Sequence, residues 1–313
     1  MVRLITGAGG MMGSHLYDAL RDQDVLPTFY NSTLDKRETI TQEMEMLDVL
    51  HYERVKQVLS EVKPSVIYHL AAQSRPDVSF KDPALTIETN VIGTTNLLQA
   101  CAELELKPLF INASSSAVYG ETMNEFNEMQ EDWLMPPNET DRCLPLSPYG
   151  TSKLAQEHIV KNYHQIYGEN INYVNLRIFN CTGPRKINDF VSDVCRRVVN
   201  KEFPLKVGNL DGLRSIVDVR DLVRGLVLCE KIKNSTINLG SDKFYSIHEI
   251  FKKIESTFLN GDYQLVVVPS MRTPQEIIDK ANYFFHPCWD NEQIIIPDVD
   301  KKAYLSALKI SDH

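Results

Sequence analysis

The first sixteen residues constrain the fold more than any other stretch of the chain. A short apolar run, Val2 to Ile5, passes directly into Thr6-Gly7-Ala8-Gly9-Gly10-Met11-Met12-Gly13 and then into Ser14-His15-Leu16. Glycines at this spacing permit a tight turn after a strand, let backbone N–H groups approach an anion, and let the next helix pack close to the strand. Gly7, Gly10, Met11, Met12 and Gly13 are therefore candidates to hold the pyrophosphate of a dinucleotide through their backbone.

The opening pattern then repeats. Val2–Ile5 is followed by a helical stretch Met12–Arg21, Val25–Tyr30 by His51–Glu61, and Val66–Ala71 by Pro83–Glu103; Leu109–Ala113 and Val174–Ile178 flank a helix opening near Pro148. Such alternation predicts right-handed βαβ units and a doubly wound α/β fold, a parallel sheet covered on both faces. Beyond Thr182 the rhythm breaks at Gly183-Pro184, Pro204, Gly208, Gly212 and Gly240, as expected for a smaller domain at the C-terminal edge of the sheet. The expected division is a dinucleotide-binding Rossmann domain over 1–180, with 215–240 returning to it, and a substrate-binding domain from 181–214 and 241–313.

With 313 residues the chain is long enough to bury a full core, and a formal charge of -9 argues against nucleic acid as a partner. Cys101, Cys143, Cys181, Cys195, Cys229 and Cys288 form no Cys-x-x-Cys pair and have no nearby His, so neither a zinc site nor a disulfide framework is expected. No apolar run approaches a membrane span, and the first begins at the initiator Met, leaving no room for a signal peptide. A cytoplasmic location is expected.

An acid at the end of the second strand would bind the ribose hydroxyls of NAD and repel a 2′-phosphate. Here the strand runs out through Tyr30, Asn31 and Ser32 with no acid, and Lys36 and Arg37 follow, which favours NADP(H) over NAD(H). Asp48 is placed either to meet the adenine or to cap the helix beginning near His51.

Ser147-Pro148-Tyr149-Gly150-Thr151-Ser152-Lys153 reads as a helix start, with Ser147 as N-cap and Pro148 at the first helical position. Tyr149 and Lys153 then share one face, and the ammonium is expected to favour phenolate at Tyr149. A tyrosine tuned in this way exchanges a proton with a carbinol while hydride moves to or from a nicotinamide. The run ending Asn112-Ala113-Ser114-Ser115-Ser116-Ala117-Val118-Tyr119-Gly120 brings hydroxyls to the same edge of the sheet, where Ser115 can hydrogen-bond the reacting oxygen.

Taken together with His69-Leu70-Ala71-Ala72, Asn90-Val91-Ile92-Gly93-Thr94, Arg177-Ile178-Phe179-Asn180 and Gly183-Pro184, these segments resemble the extended short-chain dehydrogenase/reductase family of sugar-nucleotide enzymes. The resemblance implies a catalytic Ser115, Tyr149 and Lys153, and cofactor contacts at Leu70, Ala71 and Ala72. Within the family, Lys206–Arg214 followed by Val217–Asp221 is similar to the GDP-mannose 4,6-dehydratase and GDP-4-keto-6-deoxy-mannose reductase branch. That similarity implies a GDP-linked sugar as substrate, with Asn180, Arg185, Arg214 and Arg272 as candidates for the nucleotide and Ser74, Ser116 and Val207 for the rest of it. A homodimer is implied, pairing through Leu85–Glu103 and Leu154–Gly168; apolar Ile87, Val91, Leu98, Ile159 and Ile166 suit either that pairing or packing on the sheet.

Two departures from the family pattern bear on the reaction. Dehydratases of this group carry a Glu two residues before the Tyr-Gly to take the C5 proton, and here that place is Ala117. Carbonyl reduction or alcohol oxidation at C4 is therefore expected ahead of 4,6-dehydration. The leading expectation is reduction of a GDP-linked 4-keto-6-deoxy sugar, with a C4 dehydrogenase and a 4-epimerase as rivals and a non-catalytic NADP-binding sensor as the alternative from another class. The C-terminal stretch Arg272-Thr273-Pro274-Gln275 through Cys288-Trp289-Asp290 also departs from the usual segment, which leaves the substrate cover open.

Overall fold

The computed structural model describes residues 1–30, 43–122, 137–186, 189–202, 205–207, 213–241, 244–258 and 265–267. The strands in chain order begin with β1 (Arg3–Thr6), β2 (Val25–Phe29), β3 (Glu45–Met46), β4 (Val66–His69), β5 (Leu109–Ser115) and β6 (Asn172–Ile178). They continue with β7 (Cys181–Thr182), β8 (Leu205–Val207), β9 (Leu213–Ser215), β10 (Val217–Asp218), β11 (Ser235–Leu239), β12 (Phe244–Ser246) and β13 (Leu265–Val267).

Seven of these form one sheet in the order β11-β6-β5-β4-β1-β2-β3, with every neighbouring pair parallel. Every residue of β4, β5 and β6 is buried, because helices cover both faces, and this is why the strands read as apolar runs without alternation. From β1 the chain winds one way to β2 and β3 and the other way to β4 and beyond. A crevice therefore opens outside the carboxyl ends of β1 and β4, where such sheets take ligands.

One face is covered by α1 (Met11–Leu20) and, returning late in the chain, α8 (Val219–Leu228); Leu16, Leu20, Leu222 and Leu226 pack there with Ile5, Tyr68, Ile111 and Leu176. The other face takes α2 (Tyr52–Val62), α5 (Gly93–Glu103) and α6 (Pro148–Tyr167), whose Val58, Leu97 and Val160 join Leu4, Ile67 and Phe110. Short α3 (Pro76–Lys81) and α4 (Pro83–Ile87) follow β4. A separate apolar cluster joins α7 (Phe190–Val199) to α9 (Ile247–Phe258) through Val194, Val198, Phe251 and Ile254.

The structure breaks the helix expected over Pro83–Glu103. Glu88–Ile92 forms a π-helical turn between α4 and α5, in which the Gly93 N–H reaches back five residues to the Glu88 carbonyl. Of the residues that suited either a dimer contact or the sheet, Leu98 is wholly buried in the core, whereas Ile87 and Ile166 are exposed, as are Leu85 and Ile92. Among the described residues Cys101, Cys181, Cys195 and Cys229 are buried free thiols, and no described helix is long and apolar enough to cross a membrane.

Phe110 sits at the centre of the second core with no exposed surface. Phe110→Ala is expected to lower the unfolding free energy by about 3–5 kcal/mol, read from the urea midpoint at unchanged slope.

Candidate active site

The glycine turn is built so that side chains have no room. Gly7 has φ 74°, and a Cβ there would lie 2.6 Å from the Ala71 nitrogen; a Cβ on Gly13 would lie 2.4 Å from the Gly7 carbonyl oxygen. The turn is held by Ala8 N–H to the Thr28 carbonyl at 2.7 Å and Gly10 N–H to the Gly7 carbonyl at 3.1 Å. Gly10 caps α1 with no side-chain hydrogen bond, and the first turn of the helix carries no acid. The first-turn amides of Met11, Met12 and Gly13 thus lack intrahelical acceptors, and an uncapped N-terminus with a positive dipole fits a dinucleotide pyrophosphate.

Beneath the turn, Thr6 Oγ1 lies 2.8 Å from His69 Nδ1 and accepts the Ala71 N–H at 3.3 Å. This holds Leu70, Ala71 and Ala72, all half-buried, at the rim of the crevice between β1 and β4. Burial lowers the His69 imidazole to about 3, with Lys153 adding to the effect, so the ring is neutral at working pH. Tyr30 is exposed just beyond β2, while Asn31, Ser32, Lys36 and Arg37 lie outside the described residues. Asp48 accepts the Leu50 N–H at 2.9 Å in a turn ahead of α2, and the cap itself is His51, whose Nδ1 accepts the Arg54 N–H at 3.2 Å.

The candidate catalytic residues gather at the start of α6 and the end of β5. Ser147 Oγ accepts the Gly150 N–H at 3.0 Å and Pro148 stands in the first turn. A Cβ at Gly150 would lie 2.5 Å from the Ala117 carbonyl, so glycine lets the helix press onto the 3-10 turn Ser116–Val118 at the end of β5. Tyr149, Lys153 and Ser115 are all buried. Lys153 Nζ donates to the Ala113 carbonyl at 2.8 Å and lies 5.9 Å from the centre of the Tyr149 ring. The turn also fixes Ser115, whose Oγ accepts the Ala117 N–H at 3.2 Å.

The electrostatics differ from the expectation that the ammonium lowers the phenol. Burial pushes Tyr149 above its ordinary value, and only its hydrogen bond with Ser115 pulls it back. Burial also draws Lys153 down to about 7, so near neutral pH it is partly uncharged and contributes little to the phenol. Both shifts come from desolvation by the packed helix start, which spacing along a helix does not reveal.

Of the candidates for substrate, Ser116 is buried in the turn beside Ser115, and Ser74 is exposed on the loop after β4. The Asn180 carbonyl accepts the Val217 N–H at 2.9 Å, while its Nδ2 is buried with no partner among the described residues. Arg185 pairs with Asp18 of α1 at 2.7 Å. Val207 and Arg214 lie on β8 and β9, and Arg272 is outside the described residues.

Sequence reasoning missed the buried polar residues that join the two halves of the site. Asn90, in the π turn, accepts the Gln73 N–H at 2.8 Å and donates to the Gln73 carbonyl at 3.0 Å and to Ser152 Oγ at 2.8 Å. Thr94 Oγ1 meets His69 Nε2 at 2.9 Å and accepts from Gln156 at 2.5 Å. Ser152 and Gln156 flank Lys153 on α6, whose buried face also carries Tyr149, Glu157 and Val160; nothing in the residues' spacing marks which of its polar groups are buried.

Residues 4–287 match the sequence profile of the GDP-mannose 4,6 dehydratase family. The GDP-6-deoxy-D-talose 4-dehydrogenase of Aggregatibacter actinomycetemcomitans is 30% identical over 80% of this chain and 77% of its own. A GDP-mannose 4,6-dehydratase of Vibrio cholerae is 33% identical over 71% of this chain and 62% of its own. The UDP-glucose 4-epimerase of Thermus thermophilus in complex with NAD superposes with a TM-score of 0.75 at 25% identity, covering 99% of both chains.

Gly13→Ala is expected to abolish dinucleotide binding in fluorescence titration while the protein stays folded. The unfolded lysine titrates near 10.5 and buried Lys153 near 7, so between these values the unfolded chain binds more protons. The stability of the cofactor-free protein should therefore rise with pH over that window, and Lys153→Met should flatten the rise when urea midpoints are compared across pH.

Proposed function

The chain belongs to the GDP-mannose 4,6-dehydratase family of extended short-chain dehydrogenases, and from that premise we propose that it reduces the C4 ketone of a GDP-linked 4-keto-6-deoxy-hexose with NADPH. The observation that carries the reading is the buried cluster of Ser115, Tyr149 and Lys153 at the carboxyl end of β5, with Ala117 where a dehydratase needs its base. When bound, the reduced nicotinamide supplies the hydride. Tyr149 gives its hydroxyl proton to the C4 oxygen as the carbonyl becomes an alcohol, and a phenol held above its ordinary value keeps that proton until the oxygen becomes basic. Ser115 would hydrogen-bond the same oxygen, and Lys153 would hold the cofactor ribose.

Ala117 has no proton to move, so abstraction at C5 finds no side chain at that place. The absence of an acid from the end of β2 through Ser32, with Lys36 and Arg37 further on, supports NADPH over NADH. The orphan Asn180 Nδ2 supports a polar substrate group at that point of the crevice. The talose 4-dehydrogenase relative favours a second reading, the same chemistry at C4 run as oxidation. The reading includes a homodimer through the exposed Leu85, Ile87, Ile92 and Ile166, for which light scattering should give twice the chain mass.

Wild-type protein with NADPH and GDP-4-keto-6-deoxy-mannose should consume nicotinamide absorbance. Tyr149→Phe should slow this by about two or more orders of magnitude with cofactor binding intact. Conversion of GDP-mannose to its 4-keto-6-deoxy product by the protein alone would reassign it as a dehydratase, and weaker binding of NADP than NAD would remove the cofactor preference.

A further inference from the structure

Arg177, on β6, carries a buried charge that the chemistry above leaves unused. Its Nε and Nη2 donate to the two carboxylate oxygens of Glu157 at 3.0 and 2.9 Å, with side chains only 4% and 1% exposed. Ser114 Oγ donates to the same carboxylate at 2.5 Å. The remaining nitrogen, Nη1, donates to the Tyr119 hydroxyl at 2.8 Å and to the Glu139 carbonyl at 3.1 Å, and the guanidinium lies 4.7 Å from the centre of the Tyr119 ring. Tyr119 in turn donates to Asn238 on β11 at 2.7 Å.

The partners of this one guanidinium are neighbours of the reacting groups. Glu157 follows Lys153 by one helical turn and Tyr149 by two on the same face of α6. Ser114 precedes Ser115 on β5, and Tyr119 follows the turn that carries Ser116 and Ala117. We propose that the Glu157–Arg177 pair is a positioning device that sets Tyr149 against Ser115, touching neither substrate nor cofactor. This rests on the reading of Tyr149 as the proton donor.

Cohesion alone does not account for the pair, since two apolar side chains of similar size hold a helix to a sheet about as well. What a bidentate fork adds is a fixed direction and distance. Those matter where a misplacement of about 1 Å costs on the order of 10²-fold in rate.

The paired replacement Glu157→Leu with Arg177→Met removes both charges and avoids stranding one. Its thermal stability and NADPH affinity should match wild type, while kcat for the 4-keto sugar nucleotide falls on the order of 10²-fold with little change in KM. Fluorotyrosine labelling with 19F NMR, the resonance assigned through Tyr149→Phe, reads the placement without turnover. The Tyr149 titration should move to higher pH in the paired variant, because the Ser115 hydrogen bond that lowers it is loosened. A stable paired variant with unchanged kcat and an unchanged Tyr149 titration overturns the proposal. Should that variant not fold, Arg177→Lys, which keeps the charge and loses the fork, is read by the same two measurements. Full turnover by Tyr149→Phe would instead sink the reading of the reaction, and the NMR titration would still decide the role of the pair.

Discussion

The candidate site depends first on the hydrogen bond from Lys153 Nζ to the Ala113 carbonyl, which anchors α6 to the end of β5. A lysine taken out of water loses hydration that one carbonyl only partly replaces, so the group gives up proton affinity and settles near neutrality. That cost is accepted one helical turn from Tyr149 because it puts phenol, amine and Ser115 in a single dry place. Gly150 and the Ser147 cap serve the same end, the one by letting the helix press onto Ala117, the other by starting the helix at that spot.

The parallel sheet supplies the second constraint. Because its order reverses at β1, the glycine turn after β1 and the His69 to Ala72 segment after β4 flank one crevice, and β5 delivers Ser115 to the same edge. The two halves are then stitched by uncharged contacts. Neutral His69 joins Thr6 to Thr94, and Thr94 joins Gln156 on α6, so the floor of the crevice and the catalytic helix share one buried chain of hydrogen bonds.

What the sequence made legible was local. Gly7 to Gly13 and Ser147 to Lys153 are each a strand, turn or cap followed by a helix, and their meaning lies in residues within one or two turns of each other. The doubly wound sheet followed from alternation and the handedness of crossovers. The direction of the Tyr149 shift was not legible, because it depends on burial contributed by β5 and its 3-10 turn, far away along the chain. Arg177 and Glu157 escaped for the same reason: twenty residues of separation hide a contact that forms only when α6 lies across β6. The turn of Arg185 toward α1 escaped as well, because nothing near it in sequence announces the Asp18 carboxylate.

The π turn at Glu88–Ile92 has a geometric consequence of its own. One surplus residue in a helical path rotates everything after it by roughly 100° relative to everything before, so a single rod can face two ways. Within the offset, Asn90 reaches the Gln73 backbone in the loop after β4; behind it, Leu97 and Leu98 seal the sheet. Thr94 and Thr95 donate their hydroxyls to the Asn90 and Val91 carbonyls one turn earlier, at 2.6 and 2.9 Å. The offset therefore acts as a swivel frozen in place, which lets one continuous element belong both to the oily interior and to the reacting chamber.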